Sequence, residues 1–338
     1  MTVLDKSKQA KPTATHANGA CWLDAGGANT IQAHGGGVLL HDGFYYWYGE
    51  NRQGPVQPGG ERKRIDTVGV SCYRSRDLLS WEPLGLVLPV ADDPAHDLHA
   101  SKVIERPKVI FNSLTNKFVM WLHIDSADYA AARAGVAVAD NPDGPFRYIR
   151  SIRPNGFMSR DQTLFQDDDG RAYHVCASDD NATTMISLLE DDYLDVSGKF
   201  TKIFPGRFME AFALCKRKGR YWMLASGCSG WEPNEARSAV TEDLFGDWEE
   251  RGNPCAGDGA ELTFGAQSAF IIPPARRGSA GSGGAGGEGT YVAMFDVWRP
   301  ADLRTSGYTW LPIDWSDGKM NIRHQDVWAG STAAAPVR

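Results

Sequence analysis

The sequence lacks the long apolar runs, paired cysteines and excess of positive charge that mark several large classes of protein. No apolar run approaches the ~20 residues that a membrane-spanning helix needs, which excludes a transmembrane protein of that kind. The net charge of −7, from 35 Lys and Arg against 42 Asp and Glu, argues against binding nucleic acid by neutralising phosphates. The six cysteines include no CxxC pair, so a zinc site and a disulfide scaffold are both disfavoured.

The N-terminal region carries no recognisable secretory leader. Residues 1–20 are polar and lack the apolar segment that such a leader needs. We therefore expect a cytoplasmic protein, or a secreted one if a leader precedes these residues. We also expect residues 1–19 to form an extension ahead of a single domain that spans residues 20–338.

A turn followed by an aromatic strand recurs five times along the chain. Asp-Gly and Lys-Gly dipeptides open three of the copies, and they favour hairpins because glycine adopts the positive φ that a two-residue turn needs. An apolar strand precedes each turn. The 37 glycines and the 11 Trp, 11 Tyr and 14 Phe residues suit many short strands joined by tight turns. The five copies are residues 42–48, 116–121, 169–175, 218–224 and 288–295.

Further strands follow most of these hairpins, so each repeat predicts a four-stranded antiparallel sheet. Such sheets repeated around an axis form a β-propeller, and five copies predict an all-β protein with five blades. No long stretch shows the 3.6-residue period of a helix. A β-sandwich built of hairpins is the alternative, although sandwiches rarely repeat one unit five times. Residues 274–289, rich in Gly and Ser inside the fifth hairpin, predict a mobile loop and not a domain boundary.

Five polar residues occupy equivalent places at the start of the first strand of each repeat. A strand in a sheet interior should be apolar, so a polar residue at its entry needs a reason. Because the first strand of each blade lines the central channel of a propeller, we expect these side chains to converge at one mouth of that channel. Solvated strand ends are the alternative for any one of them, but not for the whole set. The residues are His34, Glu105, Asp161, Glu210 and Gln267.

Three of these five residues are carboxylic acids. Clustered carboxyls in a partly desolvated cleft push one another's pKa values apart. One acid kept protonated beside others that stay charged is the arrangement that glycoside cleavage needs. Aromatic residues near these strands would supply flat apolar faces for sugar rings, although a core position is the favoured alternative for Trp47 and Trp121. The other aromatic candidates are Tyr129, Trp231 and Trp298.

Seven short stretches together carry a resemblance to a known family. They are QAHGGG (32–37), YYWYGE (45–50), ERPKVI (105–110), VMWLH (119–123), SRDQTLF (159–165), MEAF (209–212) and GAQS (265–268). In this combination, over roughly residues 20–328, the chain resembles the family-43 glycoside hydrolases, and most of all the branch that contains exo-β-1,3-galactanases. The resemblance implies a five-bladed propeller and an inverting exo-glycosidase that releases galactose from β-1,3-galactan or arabinogalactan oligosaccharides.

The resemblance also implies roles for individual residues. Glu210 matches the general acid that protonates the leaving glycosidic oxygen, and Asp161 matches the acid that orients it and tunes its pKa. Most of the family has a base Asp at the start of blade one, but that place falls at His34 here, where no carboxylate is available. In the galactanase branch a Gln at the position of Gln267 faces the attacking water. Because an amide is a very poor base, it could serve only as an imidic acid or by positioning water, and Glu105 is the competing candidate for the base.

The remaining candidates concern the sugar and a bound ion. The resemblance implies that Glu50, Tyr129 and Asn181 hold the terminal sugar. It also implies a channel histidine beside a calcium ion or a water, which points to His324; otherwise we expect no required cofactor and assign no metal ligands. The full set of predicted substrate-binding residues is Glu50, Glu105, Tyr129, Asn181, Trp231 and His34.

Two other functions stay open at this level. The same machinery could act on another terminal sugar, such as α-L-arabinofuranose or β-galactofuranose. A non-catalytic carbohydrate-binding propeller is the second alternative, and the missing blade-one Asp is its only support. The expected partner is an oligosaccharide or polysaccharide, with no nucleic acid and no membrane, while the oligomeric state cannot be read from the sequence.

Overall fold

Five antiparallel sheets follow one another along the part of the chain that the computed structural model describes, which is residues 15–57, 64–275 and 289–330. They are arranged as the blades of a β-propeller, which confirms the fold predicted from the five repeats. The first strands of neighbouring blades contact one another, so these strands surround the central axis. No helix in the described ranges has the length and apolar character that crossing a membrane requires.

Each of the five blades contains four antiparallel strands in chain order. Blade 1 comprises His34–His41, Phe44–Asn51, Gly69–Ser75 and Glu82–Pro89. Blade 2 comprises Val103–Asn112, Lys117–Asp125, Arg133–Ala139 and Arg147–Ile152. Blade 3 comprises Gln162–Gln166, Ala172–Ser178, Thr183–Leu189 and Val196–Ile203. Blade 4 comprises Met209–Arg217, Arg220–Gly227, Ala236–Thr241 and Glu249–Gly252. Blade 5 comprises Gln267–Ile272, Tyr291–Val297, Gly307–Asp314 and Asn321–Arg323, and Cys255–Ala256 pairs in parallel with its last strand.

The other regular elements in the described residues are short strands and 3-10 helices. Two strand pairs lie outside the blades, and four 3-10 helices lie in the connections. The pairs are His16–Ala17 with Val327–Trp328 and Val56–Gln57 with Arg64–Ile65. The 3-10 helices are Pro154–Gly156, Ala260–Gly265, Leu303–Thr305 and Ser316–Gly318.

Two of the predicted hairpin turns have the backbone geometry that their sequences demand. Asp42 and Gly43 join the first two strands of blade 1 with φ values of 48° and 75°. Lys218 and Gly219 do the same in blade 4, with φ values of 50° and 77°. Positive φ at both central residues defines a type I′ turn, whose twist matches that of the flanking strands. These dipeptides therefore set the register of the two hairpins.

The ring is closed by the segment just before blade 1. Residues 16–19 belong to the predicted N-terminal extension, but His16–Ala17 pairs with Val327–Trp328 near the end of the described chain. The amide of Gly19 donates to the carbonyl of Tyr308 (2.8 Å), which attaches the same segment to blade 5. Residues 1–14 of the predicted extension and residues 276–288 of the predicted mobile loop lie outside the described residues.

Aromatic residues fill the space between blades 5 and 1. Trp22, Trp47, Trp81, Trp310 and Trp328 are all buried in one apolar cluster. Trp47 and Trp121 are fully buried, which places both in the core and not on a sugar-stacking surface. All six cysteines are free thiols.

Candidate active site

A β-bulge interrupts the first strand of four blades next to the residue predicted to lie in the site. At a bulge, one strand carries an extra residue, which bends the strand and re-aims the side chains around it. Left-handed backbone accompanies three of the bulges, at Gly35 (φ 57°), Arg106 (φ 53°) and Ala211 (φ 57°). The pairing registers shift between His34 and Gly37, Glu105 and Lys108, Glu210 and Ala213, and Ser268 and Phe270.

A cavity of about 390 Å³ lies where these strand ends meet. Its wall takes residues from all five repeats, which places together residues that are distant along the chain. Aromatic rings, carboxyl groups and two arginines line it. Among the residues predicted from the sequence, the cavity brings together Glu50, Glu105, Tyr129, Asp161, Glu210, Trp231, Gln267 and Trp298.

Glu210 has the environment of a carboxylic acid that stays protonated at neutral pH. Its side chain is 9% exposed, and burial raises its pKa to about 8, with a further contribution from the negative charge of Asp161. The cation of Arg106 opposes this shift without cancelling it. The amide Nε2 of Gln267 donates a hydrogen bond to Glu210 Oε1 (2.9 Å). Glu210 can therefore supply a proton inside the cavity at pH 7.

Asp161 is held beside Glu210 by two donors. Its Oδ2 pairs with Arg106 Nη2 (2.9 Å) and accepts a hydrogen bond from the backbone amide of Ala211 (3.1 Å). Because Ala211 directly follows Glu210, the second bond ties the Asp161 carboxylate to the strand that carries the acid. This arrangement suits the predicted role of orienting Glu210 and adjusting its pKa.

Arg106 is a cavity residue that the sequence argument did not assign. The guanidinium is 5% exposed; Nη2 donates to Gln267 Oε1 (2.7 Å) and Nη1 to the carbonyl of Ser268 (3.1 Å). It thereby joins blades 2 and 5 and also contacts Asp161. The one signal in the sequence is its place directly after Glu105 at the start of a first strand.

A second charged group lies on the side of the cavity formed by blades 1 and 2. Arg52 forms ion pairs with both Glu50 and Glu105, the latter at 3.0 Å. Burial works against ionisation of Glu105, but His123 and Arg52 hold its pKa well below the usual range. Burial raises the pKa of Glu50, an effect that Arg52 opposes and the charge of Glu105 reinforces. The hydroxyl of Tyr129 donates to Glu105 Oε1 (3.1 Å), so the predicted sugar-binding residues on this side form one network.

One group of potential metal ligands occurs in the described residues. Oxygen and nitrogen atoms of Glu105, His123 and Asp161 lie within 4.8 Å of one another. Burial works against protonation of His123, but its contacts with Asp125 and Glu105 raise its pKa to about 9. The imidazole of His123 thus lies between the carboxyl groups of Asp125 and Glu105.

His324, the residue predicted to lie beside a calcium ion, is outside the cavity wall. Its side chain is 42% exposed, its ring centroid is 5.4 Å from that of Phe264, and its Nδ1 is 3.7 Å from Asp326 Oδ1. Calcium binding near His324 and the expected independence from cofactors both stay predictions.

His34 and Asn181 are not among the residues that line the cavity. His34 is fully buried; its Nδ1 lies 3.1 Å from Asp296 Oδ1, and its ring stacks on Tyr308 with centroids 4.8 Å apart. Its ring centroid is also 5.5 Å from that of Trp298, a cavity residue, so His34 supports the wall from the layer behind it. Asn181 contacts the Cys228 thiol, which in turn contacts Glu210, and its Oδ1 is buried with no partner among the described residues.

Comparison with known proteins identifies a family and several similar structures. The model of the glycosyl hydrolases family 43 matches residues 37–259. A family-43 β-1,3-galactosidase, BT3683, solved with galactodeoxynojirimycin, is 40% identical, with a TM-score of 0.83, covering 93% of this chain and 99% of the other. The exo-β-1,3-galactanase Pc1,3Gal43A of Phanerochaete chrysosporium, solved with β-1,3-galactotriose, is 36% identical, with a TM-score of 0.82, covering 95% of this chain and 71% of the other. The exo-β-1,3-galactanase 1,3Gal43A of Clostridium thermocellum is 36% identical, with a TM-score of 0.80, covering 94% of this chain and 67% of the other.

A curated relative adds a different sugar to the comparison. The β-D-galactofuranosidase xynD of Aspergillus niger is 23% identical over 214 residues, which are 59% of this chain. The match spans 62% of the length of that relative.

Proposed function

The chain belongs to glycoside hydrolase family 43, and on that premise we propose that it is an inverting exo-β-1,3-galactanase, which releases galactose from the ends of β-1,3-galactan or arabinogalactan oligosaccharides. The chain is a glycoside hydrolase by its family. The observation that carries the mechanism is the buried Glu210, whose pKa is raised to about 8, beside Asp161 in a cavity to which all five repeats contribute.

Glu210 is the general acid of the proposed reaction. The bond between the anomeric carbon and the glycosidic oxygen breaks, its electron pair stays on that oxygen, and the oxygen takes the proton of Glu210. A water molecule forms the new bond to the anomeric carbon and gives one proton to a base, for which Gln267 and Glu105 are the candidates predicted from the sequence. The base later releases this proton to solvent. The ionised Glu210 regains a proton before the next turnover. The pKa of about 8 suits this cycle, because the acid is mostly protonated at pH 7 and can still be deprotonated during the reaction.

The identity of the sugar rests on the similar proteins. The printed names of three similar structures specify β-1,3-galactosidase or exo-β-1,3-galactanase activity, at 36–40% identity over at least 93% of this chain. The second candidate sugar is β-galactofuranose, favoured by the shorter and weaker match to xynD. Tyr129 and Trp231 supply aromatic surface in the cavity for a sugar ring, and Glu50, Glu105 and Arg52 supply charged hydrogen-bonding groups.

The test of the proposed function is a substrate panel with an acid-deficient control. β-1,3-Galactobiose and the nitrophenyl glycosides of β-galactopyranose, β-galactofuranose and α-L-arabinofuranose are incubated with the wild-type protein and with Glu210→Gln. We expect galactose from galactobiose, and a loss of about 10²- to 10⁴-fold in the Glu210→Gln variant, which keeps the size of the side chain. If only galactofuranose or arabinofuranose is released, that sugar replaces galactose in the proposed function. Near-full activity of Glu210→Gln would contradict the assignment of Glu210 as the general acid.

A further inference from the structure

The loop between the second and third strands of blade 4 forms part of the cavity wall. The second strand ends at Gly227, and Gly230 and Trp231 of the loop line the cavity. The loop begins at Cys228, whose thiol contacts the carboxyl group of Glu210. It therefore runs from the general acid of the proposed reaction to an aromatic surface of the cavity.

A side-chain amide closes the base of this loop. The backbone pairing of the two strands ends at Ser226 and Ala236. One step further, the amide of Gly227 donates to Asn234 Oδ1 (2.8 Å), and Asn234 Nδ2 donates to the carbonyl of Gly227 (2.9 Å). Gly227 is buried, and a Cβ there would lie 3.3 Å from Asn234 Oδ1, so the two residues are also closely packed. Asn234 thus makes the two hydrogen bonds that a strand residue would make, and the backbone of Gly227 decides which way its amide faces.

Further hydrogen bonds fix the turn that carries Trp231. Asn234 Nδ2 also donates to Ser229 Oγ (2.5 Å), and Ser229 Oγ donates to the carbonyl of Glu232 (2.6 Å). The amide of Glu232 donates to the carbonyl of Ser229 (3.3 Å), and Gly230 between them has a left-handed φ of 63°. Trp231 is the other central residue of this four-residue turn, so its direction depends on the contacts of Asn234 and Ser229.

The position of the loop indicates which sugar it borders. The acid of a glycosidase has to lie beside the glycosidic oxygen, and the loop begins at the acid, Glu210. Of the residues predicted to hold the terminal sugar, the two that line the cavity are Glu50 and Tyr129, from blades 1 and 2. The loop of blade 4 therefore borders the sugar on the other side of the cleaved bond, which is the leaving sugar.

We propose that Asn234 is a positioning residue for Trp231, and that the indole face of Trp231 packs against the leaving sugar. This inference rests on the proposed function, because it takes Glu210 as the acid. One face of a galactose ring carries mainly C–H groups, for which an aromatic ring provides a flat apolar surface. Asn234 thereby strengthens the binding of a leaving sugar and takes no part in bond cleavage or proton transfer.

The inference is tested by comparing β-1,3-galactobiose with β-galactosyl fluoride. Both substrates contain the terminal galactose, but only galactobiose has a leaving sugar. We expect Trp231→Ala and Asn234→Ala each to lower kcat/KM on galactobiose about tenfold and to leave kcat/KM on the fluoride within about twofold. The double variant should lose no more than Trp231→Ala alone, because Asn234 acts through Trp231.

Asn112→Ala is the matched control. The side-chain Oδ1 of Asn112 accepts from the backbone amides of Leu114 (2.9 Å) and Thr115 (3.0 Å), so this residue also fixes a loop through backbone bonds. Asn112 ends the first strand of blade 2, whereas the cavity residues Glu105 and Arg106 lie near the beginning of that strand. Its replacement should leave the ratio of the two activities unchanged.

Ser229→Ala decides the question if Asn234→Ala folds poorly. This variant removes the bonds of Ser229 to Asn234 and Glu232 and keeps the pairing of Asn234 with Gly227. We expect a loss of about threefold on galactobiose and none on the fluoride.

The contrary outcomes separate this inference from the proposed function. Equal losses on both substrates in Trp231→Ala, or an unchanged ratio in Asn234→Ala and Ser229→Ala, would overturn the inference. So would an additive loss in the double variant, or a shift in the basic limb of the pH profile of Asn234→Ala, which would mean that Asn234 acts through the acid. In each case the proposed function stands if the wild type releases galactose from galactobiose and Glu210→Gln does not. If the wild type prefers another sugar, that part of the proposed function has failed, and the disaccharide and glycosyl fluoride of that sugar are used instead.

Discussion

Two carboxyl groups in one cavity acquire opposite properties because their neighbours differ. Glu210 is buried beside another carboxylate, and its pKa rises to about 8. Glu105 is also buried, but Arg52 and His123 keep it ionised. The residue types alone do not distinguish them; the cations next to each carboxyl group do. The chemistry of the site is therefore set by Arg52, Arg106 and His123 as much as by the acids.

Asp161→Asn should move the basic limb of the pH profile to lower pH. The charge of Asp161 raises the pKa of Glu210, so removing it lowers that pKa, and Arg106, freed from its ion pair, acts in the same direction. Glu210 is then protonated over a narrower range, and kcat/KM falls at pH 7. The measurement is kcat/KM on galactobiose from about pH 4 to about pH 10, a range wide enough to include both limbs of the profile.

Asp195→Asn is the control for this prediction. Asp195 is an exposed residue of blade 3 that pairs with Arg150 (2.6 Å) at the surface. Its replacement should leave the profile unchanged. A basic limb that stays in place in Asp161→Asn would contradict the role of Asp161.

At the scale of single elements, the bulged first strands decide where the site residues meet. The Asp-Gly and Lys-Gly hairpins and the aromatic strands were readable from the sequence because turn chemistry and period-two patterns are local. The convergence of Glu105, Asp161, Glu210 and Gln267 on one cavity agrees with the placement predicted from the repeats. The partners of these residues were not readable, because they come from different blades.

Arg106 and His34 illustrate this limit. Arg106 joins Asp161 to Gln267 only because a bulge with left-handed backbone turns it across the ring, and a bulge has no sequence signature here. His34 occupies the same place in its repeat as the other four, but Tyr308 and Asp296 enclose it. Equivalent positions in the repeat thus predicted the location of the site but not the exposure of each member.

Gly35→Ala should destabilise the site by a steric overlap in addition to the strain of a left-handed backbone. Gly35 has φ 57°, and a Cβ there would lie 2.3 Å from Glu50 Oε1, a buried carboxylate paired with Arg52. We expect a loss in the free energy of unfolding about 2 kcal/mol greater than for Gly170→Ala, together with reduced activity. Gly170 has φ 84° in a hairpin with open space around its Cβ position, so it reports the strain alone. Urea denaturation measures both, and equal losses would show that the first strand has room for a side chain.

At the scale of the whole molecule, hydrogen bonds join the segment before blade 1 to blade 5 and to the residues that follow blade 5. Asn18 makes several of them: its Nδ2 donates to the carbonyls of Gln325 (2.8 Å) and Trp310 (3.3 Å), and its Oδ1 accepts from the amide of Trp310 (3.0 Å). One side chain thus joins the segment before blade 1 to blade 5 and to the segment that follows it. The sequence around Asn18 does not indicate this role, because the residues that Asn18 contacts lie about 300 positions further along the chain.

Asn18→Ala should lower the stability of the whole propeller without changing the chemistry. We expect a loss of roughly 1–3 kcal/mol in the free energy of unfolding, since the backbone groups of the buried Trp310 lose a partner, and a fall of a few degrees in Tm. Asn321→Ala is the control, because its Nδ2 bonds are local, to Ser316. Differential scanning calorimetry gives Tm, and kcat at 25 °C should be kept. A Tm equal to that of Asn321→Ala would mean that closure does not depend on Asn18.

The central claim is that the five-bladed ring holds Glu210 protonated at neutral pH. It is tested most directly by ¹³C NMR of protein labelled at the glutamate carboxyl carbons, titrated with pH and assigned by comparison with Glu210→Gln. The account predicts one carboxyl resonance, absent from the variant, that titrates with a pKa of about 8. A Glu210 resonance that titrates near the ordinary value of about 4.3 would contradict it.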